Sequence, residues 1–189
     1  VESPAKARTI QKYLGDDYAV LPTIGHIREL PKKDAIDASN GYLMNYIVSP
    51  GKEDAVKKIK GEAKVAEQVI LATDPDREGE AIAWHVADII ANSKFEQPEI
   101  KRAIFYEISK KAVKDAVDNP GEIAMDLVQS QETRRALDRH FGFTISPLLW
   151  RLFPSNNHSA GRVQSPALRM IVEREREIEA FEPQEYWTI

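Results

Sequence analysis

One stretch decides the fold, residues 69–80, which has the sequence VILATDPDREGE. Its first five residues form a short apolar run of the length of a buried strand. Residues 78–91, which overlap its end, place Ile82, Val86 and Ile90 on one side at helical spacing. Acidic residues fill the junction. The stretch therefore predicts a strand, a polar turn and a helix in succession, the unit from which α/β sheets are built.

The same alternation extends outward in both directions. Helices are predicted over residues 4–14, over 52–64, and from Ser109 to about Asn119. Ser3 has the position of an N-cap, and Gly15 that of a left-handed terminator. Strands are predicted over 18–24 and 102–106. Residues 31–51 interrupt the alternation and are interpreted as an insertion. We therefore expect an α/β domain with a mostly parallel sheet flanked by helices.

After residue 122 the pattern is helical only. Helices are predicted over 123 to about 143, 147–153 and 166–181, with Ser146-Pro147 and Ser165-Pro166 as starts of the last two. This predicts three domains: 1–121, then an α-helical partial domain over 122–182, then an extended start of a further domain over 183–189. The abrupt beginning at Val1 indicates that a preceding strand belongs to a longer chain.

Composition bounds the class of protein. The 189 residues include no cysteine, which excludes disulfides and thiolate metal sites and fits a reducing cytoplasm. No apolar run reaches about 18 residues, so we expect no membrane-spanning helix. The formal net charge of −4 argues against nucleic acid as a partner, but it hides a split. Residues 134–169 carry six arginines, no lysine and a single acid, Asp138.

The acidic junction predicts a metal site. In an extended segment Asp74 and Asp76 point to the same side, and Glu78 follows at the same spacing. Carboxylates that converge at a strand end repel one another unless a cation joins them, and Mg²⁺ prefers oxygen ligands. The alternative is an acidic turn that only caps a helix N-terminus, where the helix dipole favours carboxylates.

A second acidic residue is Glu2, which would directly follow the strand that is expected to precede Val1. If that strand neighbours residues 69–73, Glu2 meets the aspartates, and neighbouring carboxylates would raise its pKa, as a proton donor needs. Lys6, one helical turn further on, could neutralise a phosphate there. Each is otherwise an ordinary surface residue.

Four motifs occur in order: VESPAKA at 1–7, GHIR at 25–28, DPDREGEAIAWH at 74–85 and SAGRVQS at 159–165. Together they resemble the N-terminal part of the bacterial type IA DNA topoisomerase family, over essentially the whole chain. The resemblance implies a Toprim domain, with a mostly parallel four-stranded sheet flanked by helices, and then the first helices of a domain that binds single-stranded DNA. It also implies that the insertion at 31–51 packs with the helical part.

The same resemblance implies an activity. The family relaxes negatively supercoiled DNA: a tyrosine cuts one strand through a 5′-phosphotyrosine, the other strand passes, and the break reseals without ATP. Glu2 takes the role of the general acid/base for the leaving 3′-hydroxyl, and Lys6 that of the lysine beside the cleaved phosphate. The Mg²⁺ ligands are Asp74, Asp76 and Glu78, with Glu2 beside them. The expected partners are single-stranded DNA and negatively supercoiled DNA, bound by a monomer in the bacterial cytoplasm at the nucleoid.

Further residues are expected at the DNA. His26 lies on a turn that is beside the DNA in the family. Arginines on one side of a helix fork onto phosphates, and an aspartate among them orients an arginine or accepts from a base edge. Trp150 stacks on a base or packs in a core. The helix residues are Arg134, Arg135, Asp138 and Arg139, and the close-approach loop is Ser159, Ala160, Gly161, Arg162, Val163 and Gln164.

The family's nucleophile is absent from the sequence. None of the six tyrosines lies in a Tyr-x-Arg-Thr-Asp-Ser-like segment, so the chain alone is expected to be inactive. Tyr106, in a predicted strand, is expected to be buried. It also departs from the family, where many relatives carry a polar amide, and residues 154–158 replace a basic-glycine sequence.

Three alternatives remain. The first is another Toprim enzyme, a primase or an OLD-family nuclease, which would lack the 159–165 motif. The second is a non-catalytic DNA-binding module whose acidic turn is a helix cap. The third, within the superfamily, is a reverse gyrase or topoisomerase III segment.

Overall fold

A computed structural model describes residues 1–37, 39–153 and 158–188. The chain divides into two compact units, Val1–Thr133 and Arg134–Ile189. The domain limits predicted at residues 121 and 182 stay predictions.

The described residues of the first unit contain α1 (Pro4–Leu14), α2 (Glu53–Ala63), α3 (Arg77–Ala91) and α4 (Lys110–Asp118), before a longer helix begins. Side-chain oxygens cap three of them. Ser3 Oγ accepts from the backbone N–H of Lys6 at 3.2 Å, and Ser109 Oγ accepts from Ala112 at 3.2 Å. The third cap is Asp76, at the start of α3. A cap satisfies an amide of the first turn that has no partner within the helix, so the predicted starts of α1 and α4 are confirmed.

Six short strands are present in the described residues: β1 (Arg28–Glu29), β2 (Ile36–Asp37), β3 (Leu43–Met44), β4 (Ile47–Val48), β5 (Gln68–Leu71) and β6 (Glu99–Arg102). Antiparallel pairs join β1 with β4 and β2 with β3, whereas β5 and β6 are parallel. The α/β class is confirmed, although the parallel sheet of these residues has two assigned strands where four were expected.

The parallel pair fixes the edge at which the acidic turn lies. Leu71 is in register with Arg102, so β5 and β6 end at the same edge. The predicted strand over 18–24 is not assigned as regular strand, yet this segment is tied to the chain's start. Thr23 N–H donates to the Val1 carbonyl at 2.9 Å, and Ile24 N–H to the Glu2 carbonyl at 2.8 Å.

The predicted strand over 102–106 is wrong in its limits. The strand begins three residues earlier and ends at Arg102, whose backbone also pairs with Gly121 through two 2.8 Å hydrogen bonds. Tyr106 was expected to be buried and is instead 87% exposed. The prediction failed because it took the apolar residues after Arg102 as the strand. The strand instead ends at Arg102, which is buried although it is charged, and those apolar residues lie beyond the sheet.

The main core of the first unit lies between α2, α3 and β5. It contains Ile27, Ile59, Leu71, Val86 and Ile90, all at most 8% exposed. A smaller cluster of Ala72, Ala103 and Val117 packs with Val1 and Leu14. Burying each large aliphatic side chain contributes roughly 1.5–3 kcal/mol, so α3 is held firmly behind the turn that precedes it.

Segment 31–51 is attached to α3 by an aromatic contact. The Tyr46 ring lies 4.4 Å from the His85 ring and 6.1 Å from the Trp84 ring, measured between centroids. The Arg28 guanidinium lies 5.3 Å from the Tyr46 ring and 2.5 Å from Asp88 Oδ2. That this segment packs with the helical region stays a prediction.

The long helix α5 (Met125–Leu152) runs from the first unit into the second, which also contains α6 (Gln164–Glu179). The predicted break at Ser146-Pro147 is wrong, because Pro147 lies inside α5. A proline removes one helical hydrogen bond and bends a helix without having to end it. In the described part of the chain no helix combines the length and apolar character that a bilayer span requires.

Candidate metal centre and nucleic-acid interface

The acidic turn joins β5 to α3 and is tightly built. Asp76 Oδ1 accepts from the Gly79 N–H at 2.7 Å, and Thr73 Oγ1 donates to the Gly79 carbonyl at 2.6 Å. A β-carbon on Gly79 would lie 2.1 Å from the carbonyl oxygen of Asp74, which no side chain can do. Only glycine therefore lets the first turn of α3 pack on the Asp74 backbone.

Lys6 forms an ion pair with Asp74, across 68 residues of sequence. Both side chains are about one-third exposed. The pair brings the first turn of α1 against the acidic turn, as expected if Glu2 and Asp74 each follow a strand at one edge. Glu2 itself is half-buried, and its carbonyl accepts from Ile24.

Glu78 is engaged by two partners. His26 Nε2 lies 3.1 Å from Glu78 Oε2, and Gln131 Nε2 donates to the same oxygen at 3.2 Å. Gln131 is 4% exposed, and its amide oxygen has no hydrogen-bond partner among the described residues. His26 was expected beside the DNA, and its contact with Glu78 was not predicted. Gln131 was missed, since a glutamine in a helix gives no sequence signal of this contact.

Of the carboxylates predicted to bind metal, Asp74, Asp76 and Glu78 share one turn and Glu2 lies before α1, and they are not grouped around one point. Across residues 1–37, 39–153 and 158–188, no three His, Asp or Glu side chains are grouped as a cation would need. Asp74 faces Lys6, Asp76 caps α3, and Glu78 faces His26. The donor chemistry nevertheless fits a hard cation, since carboxylate and amide oxygens are what Mg²⁺ prefers.

A buried ion pair lies beneath the turn and was also missed. Arg102 Nε donates to Glu80 Oε2 at 2.9 Å, and Arg102 Nη2 donates to the Asp74 carbonyl at 2.9 Å. Glu80 Oε1 accepts from the Ala124 N–H at 2.7 Å. The acidic turn is thereby attached both to β6 and to the segment that leads into α5.

In the second unit Asp138 holds two arginines. Asp138 Oδ1 accepts from Arg162 Nε at 2.7 Å, and Asp138 Oδ2 lies 3.5 Å from Arg134 Nε. The hydrogen bond from Arg162, with the positive charges of Arg162 and Arg134, lowers the pKa of the Asp138 carboxyl below its ordinary value. The predicted helix residues and the predicted loop are thus brought together at Asp138.

Other expected DNA contacts are only partly exposed. The Arg139 guanidinium lies 4.6 Å from the Phe143 ring centre, and Arg135 is half-buried on the same helix. Trp150 is 48% exposed, and its indole N–H donates to the His158 carbonyl at 2.7 Å. About half of the Trp150 surface is therefore open to solvent, while its indole N–H is already bonded.

The loop at 159–164 is held by hydroxyls that were expected to cap helices. Ser146 Oγ accepts from the Ala160 N–H at 3.1 Å, and Ser165 Oγ accepts from the Gly161 N–H at 3.3 Å. Ser159 Oγ donates to Gln164 Oε1 at 3.3 Å. Ser146 is inside α5, and α6 begins at Gln164, so both predicted caps are corrected. Val163 is 56% exposed. Residues 154–157, where the family's basic-glycine sequence is replaced, lie outside the described residues.

Two family models match different parts of the chain. Residues 1–108 match the Toprim domain model, and residues 122–189 match the DNA topoisomerase model. The DNA topoisomerase 1 proteins of Xylella fastidiosa (strain Temecula1) and Zymomonas mobilis are 53% and 50% identical over the whole chain. The chain spans only 23% and 16% of their lengths.

A solved structure gives the same result. Full-length topoisomerase I from Thermotoga maritima is 46% identical, with a TM-score of 0.79 over 98% of this chain and 31% of the other. The relatives and this structure align over all or nearly all of the chain, and each of the two family models matches one part of it. The chain therefore belongs to the bacterial DNA topoisomerase I family and carries its Toprim domain.

Proposed function

We propose that this chain supplies the catalytic Toprim centre and adjoining single-strand-binding helices of a type IA topoisomerase. The whole enzyme relaxes negatively supercoiled DNA through a transient 5′-phosphotyrosine break in one strand and passage of the other. The pairing of Lys6 with Asp74 carries the proposal, because it sets an ammonium and the acidic turn side by side at the carboxyl edge of β5. Ligands of open α/β sheets bind at that edge.

In this reaction Glu2 transfers a proton, and Lys6 stabilises the negative charge of the phosphate. The carboxyl of Glu2 gives a proton to the departing 3′-oxygen and takes it back on resealing. The Lys6 ammonium exchanges Asp74 for an oxygen of the scissile phosphate, whose charge it stabilises. Lys6 is in the first turn of α1 and Glu2 directly precedes its Ser3 cap, so both lie at the beginning of this helix.

Mg²⁺ is the proposed cofactor, held by Asp74, Asp76 and Glu78 with Glu2 beside them. When bound, it neutralises negative charge on the phosphate. Gln131 contacts Glu78 through its amide nitrogen, and its buried amide oxygen, which has no hydrogen-bond partner among the described residues, is a further hard donor. Lys6 and His26 hold two of these carboxylates in the described structure, so the cation must compete with both.

The DNA-binding role falls to the second unit and to His26. Arg134, Arg135, Arg139 and Arg162 would bind phosphates, with Asp138 fixing two of the four. The half-exposed side chain of Trp150 would stack on a base. The loop would let a DNA strand approach the protein backbone closely at Ser159, Ala160, Gly161, Val163 and Gln164. We expect a monomer, acting on single-stranded regions in the bacterial cytoplasm at the nucleoid.

The nucleophilic tyrosine is not among the six tyrosines of this chain. We therefore expect the 189-residue chain alone to leave supercoiled plasmid unchanged in the presence of Mg²⁺. Relaxation by the purified chain would contradict this.

A chimera tests the proposed function itself. The chain would replace the matching region of the Thermotoga maritima enzyme, and plasmid relaxation would be followed on gels. Relaxation that Lys6→Ala and Asp74→Ala abolish, and that Lys12→Ala and Asp16→Ala leave intact, is the expected result. A folded chimera without activity, or one indifferent to Asp74→Ala, would contradict the proposal.

A second candidate is a non-catalytic DNA-binding module. It is favoured by one observation: Asp76 does cap α3, as a purely structural acidic turn would. Mg²⁺ titration of the chain separates the two. A catalytic centre binds the cation in a manner that Asp74→Ala and Asp76→Ala abolish, whereas a mere cap shows no such dependence. A primase or nuclease is disfavoured, because residues 122–189 match the topoisomerase model.

A further inference from the structure

Ile24 has a backbone conformation that isoleucine rarely adopts. Its φ is +57°, in the left-handed region where a β-branched side chain collides with its own backbone. The side chain gains little from burial in return, since it is 55% exposed. Glycine or asparagine would suit this turn better. Neither the turn nor the core therefore requires isoleucine at this position.

The surrounding structure holds Ile24 from both sides. Its N–H donates to the Glu2 carbonyl at 2.8 Å, and its carbonyl accepts from Lys52 Nζ at 2.6 Å. Two residues on, His26 contacts Glu78. Ile24 thus lies between the segment that carries Glu2 and the partner of Glu78, at the edge of the proposed centre. Strained residues that are held in this way cluster where a ligand is bound.

We propose that the Ile24 side chain packs against an unpaired base of the DNA strand bound at this edge. The inference rests on the proposed function and adds a residue that contacts the strand. Isoleucine has no donor for phosphate, so a base face or the gap between two bases is what it can contact. Apolar side chains contact nucleic acids in this way. The contact would fix the strand's register relative to Glu2 and Lys6.

The test compares a base-containing strand with a base-free one. A fluorescent 12-nucleotide thymidine strand and the same strand with abasic sites would be titrated with the 189-residue chain in EDTA, with anisotropy as readout. Wild type should prefer the first by about fivefold or more, the range of base contacts. Ile24→Asn should lower that ratio at least threefold, while Ile24→Leu keeps it. Val65→Asn, at an apolar residue 79% exposed, is the matched control.

Stability separates a lost contact from a damaged fold. Ile24→Asn relieves the unfavourable φ, so its melting temperature should equal or exceed that of wild type; Ile24→Gly is a second variant with the same expectation. An affinity ratio that falls less than threefold in both variants overturns the inference and leaves the proposed function intact. A wild-type chain that binds neither strand overturns the single-strand-binding role and this inference together.

Discussion

The Arg102 guanidinium donates to Glu80 Oε2 at 2.9 Å, and the two side chains are 0% and 1% exposed. The same guanidinium donates to the carbonyls of Leu71, Asp74 and Ala103. One buried arginine thus ties the last residue of β5 to the first residue of the acidic turn. The position of Asp74 depends on this arginine as well as on Lys6.

Arg102→Met should destabilise the protein by about 3–5 kcal/mol, because it leaves the charge of Glu80 buried without its cation. Urea unfolding followed by circular dichroism measures the loss. Lys101→Met is the matched control: the neighbouring residue on β6 pairs with Glu122 in the open, at 2.6 Å, and its loss should cost far less. Equal losses in the two variants would show that the buried pair does not hold the turn.

Gly79→Ala should be strongly destabilising, whereas Gly61→Ala should stabilise by roughly 0.5 kcal/mol. Both glycines are in helices, α3 and α2, where alanine is ordinarily preferred by about 0.5–1 kcal/mol. An added β-carbon meets nothing within 4 Å at Gly61, but lies 2.1 Å from the Asp74 carbonyl oxygen at Gly79. Thermal melts of both variants check the difference, and a Gly79→Ala protein as stable as wild type would refute the close packing.

Local signals predicted the local structure well. Serine caps and apolar spacing located α1, α2, α3 and α4 to within a residue or two, since each of these signals acts within one helical turn. The wrong predictions concern residues whose structure depends on a contact with a residue far away in the sequence. Ser146 was assigned to a helix start because the sequence does not show that its hydroxyl accepts from Ala160, fourteen residues away.

The contacts of the candidate site also differ in how far the sequence could predict them. The proximity of Lys6 to Asp74 could be anticipated, because Asp74 follows a predicted strand directly and Lys6 lies one helical turn after Glu2, which was expected at the end of a neighbouring strand. The contacts of Glu80 with Arg102, and of Glu78 with Gln131, join residues 22 and 53 positions apart and leave no periodic signal. Tyr106 shows the reverse error: an apolar neighbourhood in sequence predicted burial, but the strand had already ended at Arg102.

The Asp138 carboxyl gives a pH-dependent prediction. Its pKa is lowered mainly by the hydrogen bond from Arg162. A carboxyl with a lower pKa in the folded state contributes stability above its unfolded pKa, close to 3.8, and loses it as pH falls through the folded value. Arg162→Gln should therefore raise this pKa, and its stability deficit should shrink below about pH 4.

Carbon-detected NMR titration of the Asp138 carboxyl checks the direction. Arg169→Gln is the control, since Arg169 pairs with Glu173 on α6 and makes no described contact with Asp138. An unchanged Asp138 titration in Arg162→Gln would mean that the arginine does not hold the carboxylate in solution.

Lys6→Met should strengthen Mg²⁺ binding by the chain, because Lys6 occupies Asp74, one of the proposed ligands. A partly exposed ion pair is worth up to about 1 kcal/mol, so release of Asp74 should tighten binding by up to about fivefold. Calorimetric titration with MgCl₂ measures the change. Lys12→Met removes the same charge from an exposed position later in α1 and should have much less effect. If the two variants bind Mg²⁺ alike, Lys6 and the cation do not share a carboxylate. If Lys6→Met instead weakens binding, the lysine orders the acidic turn for the metal.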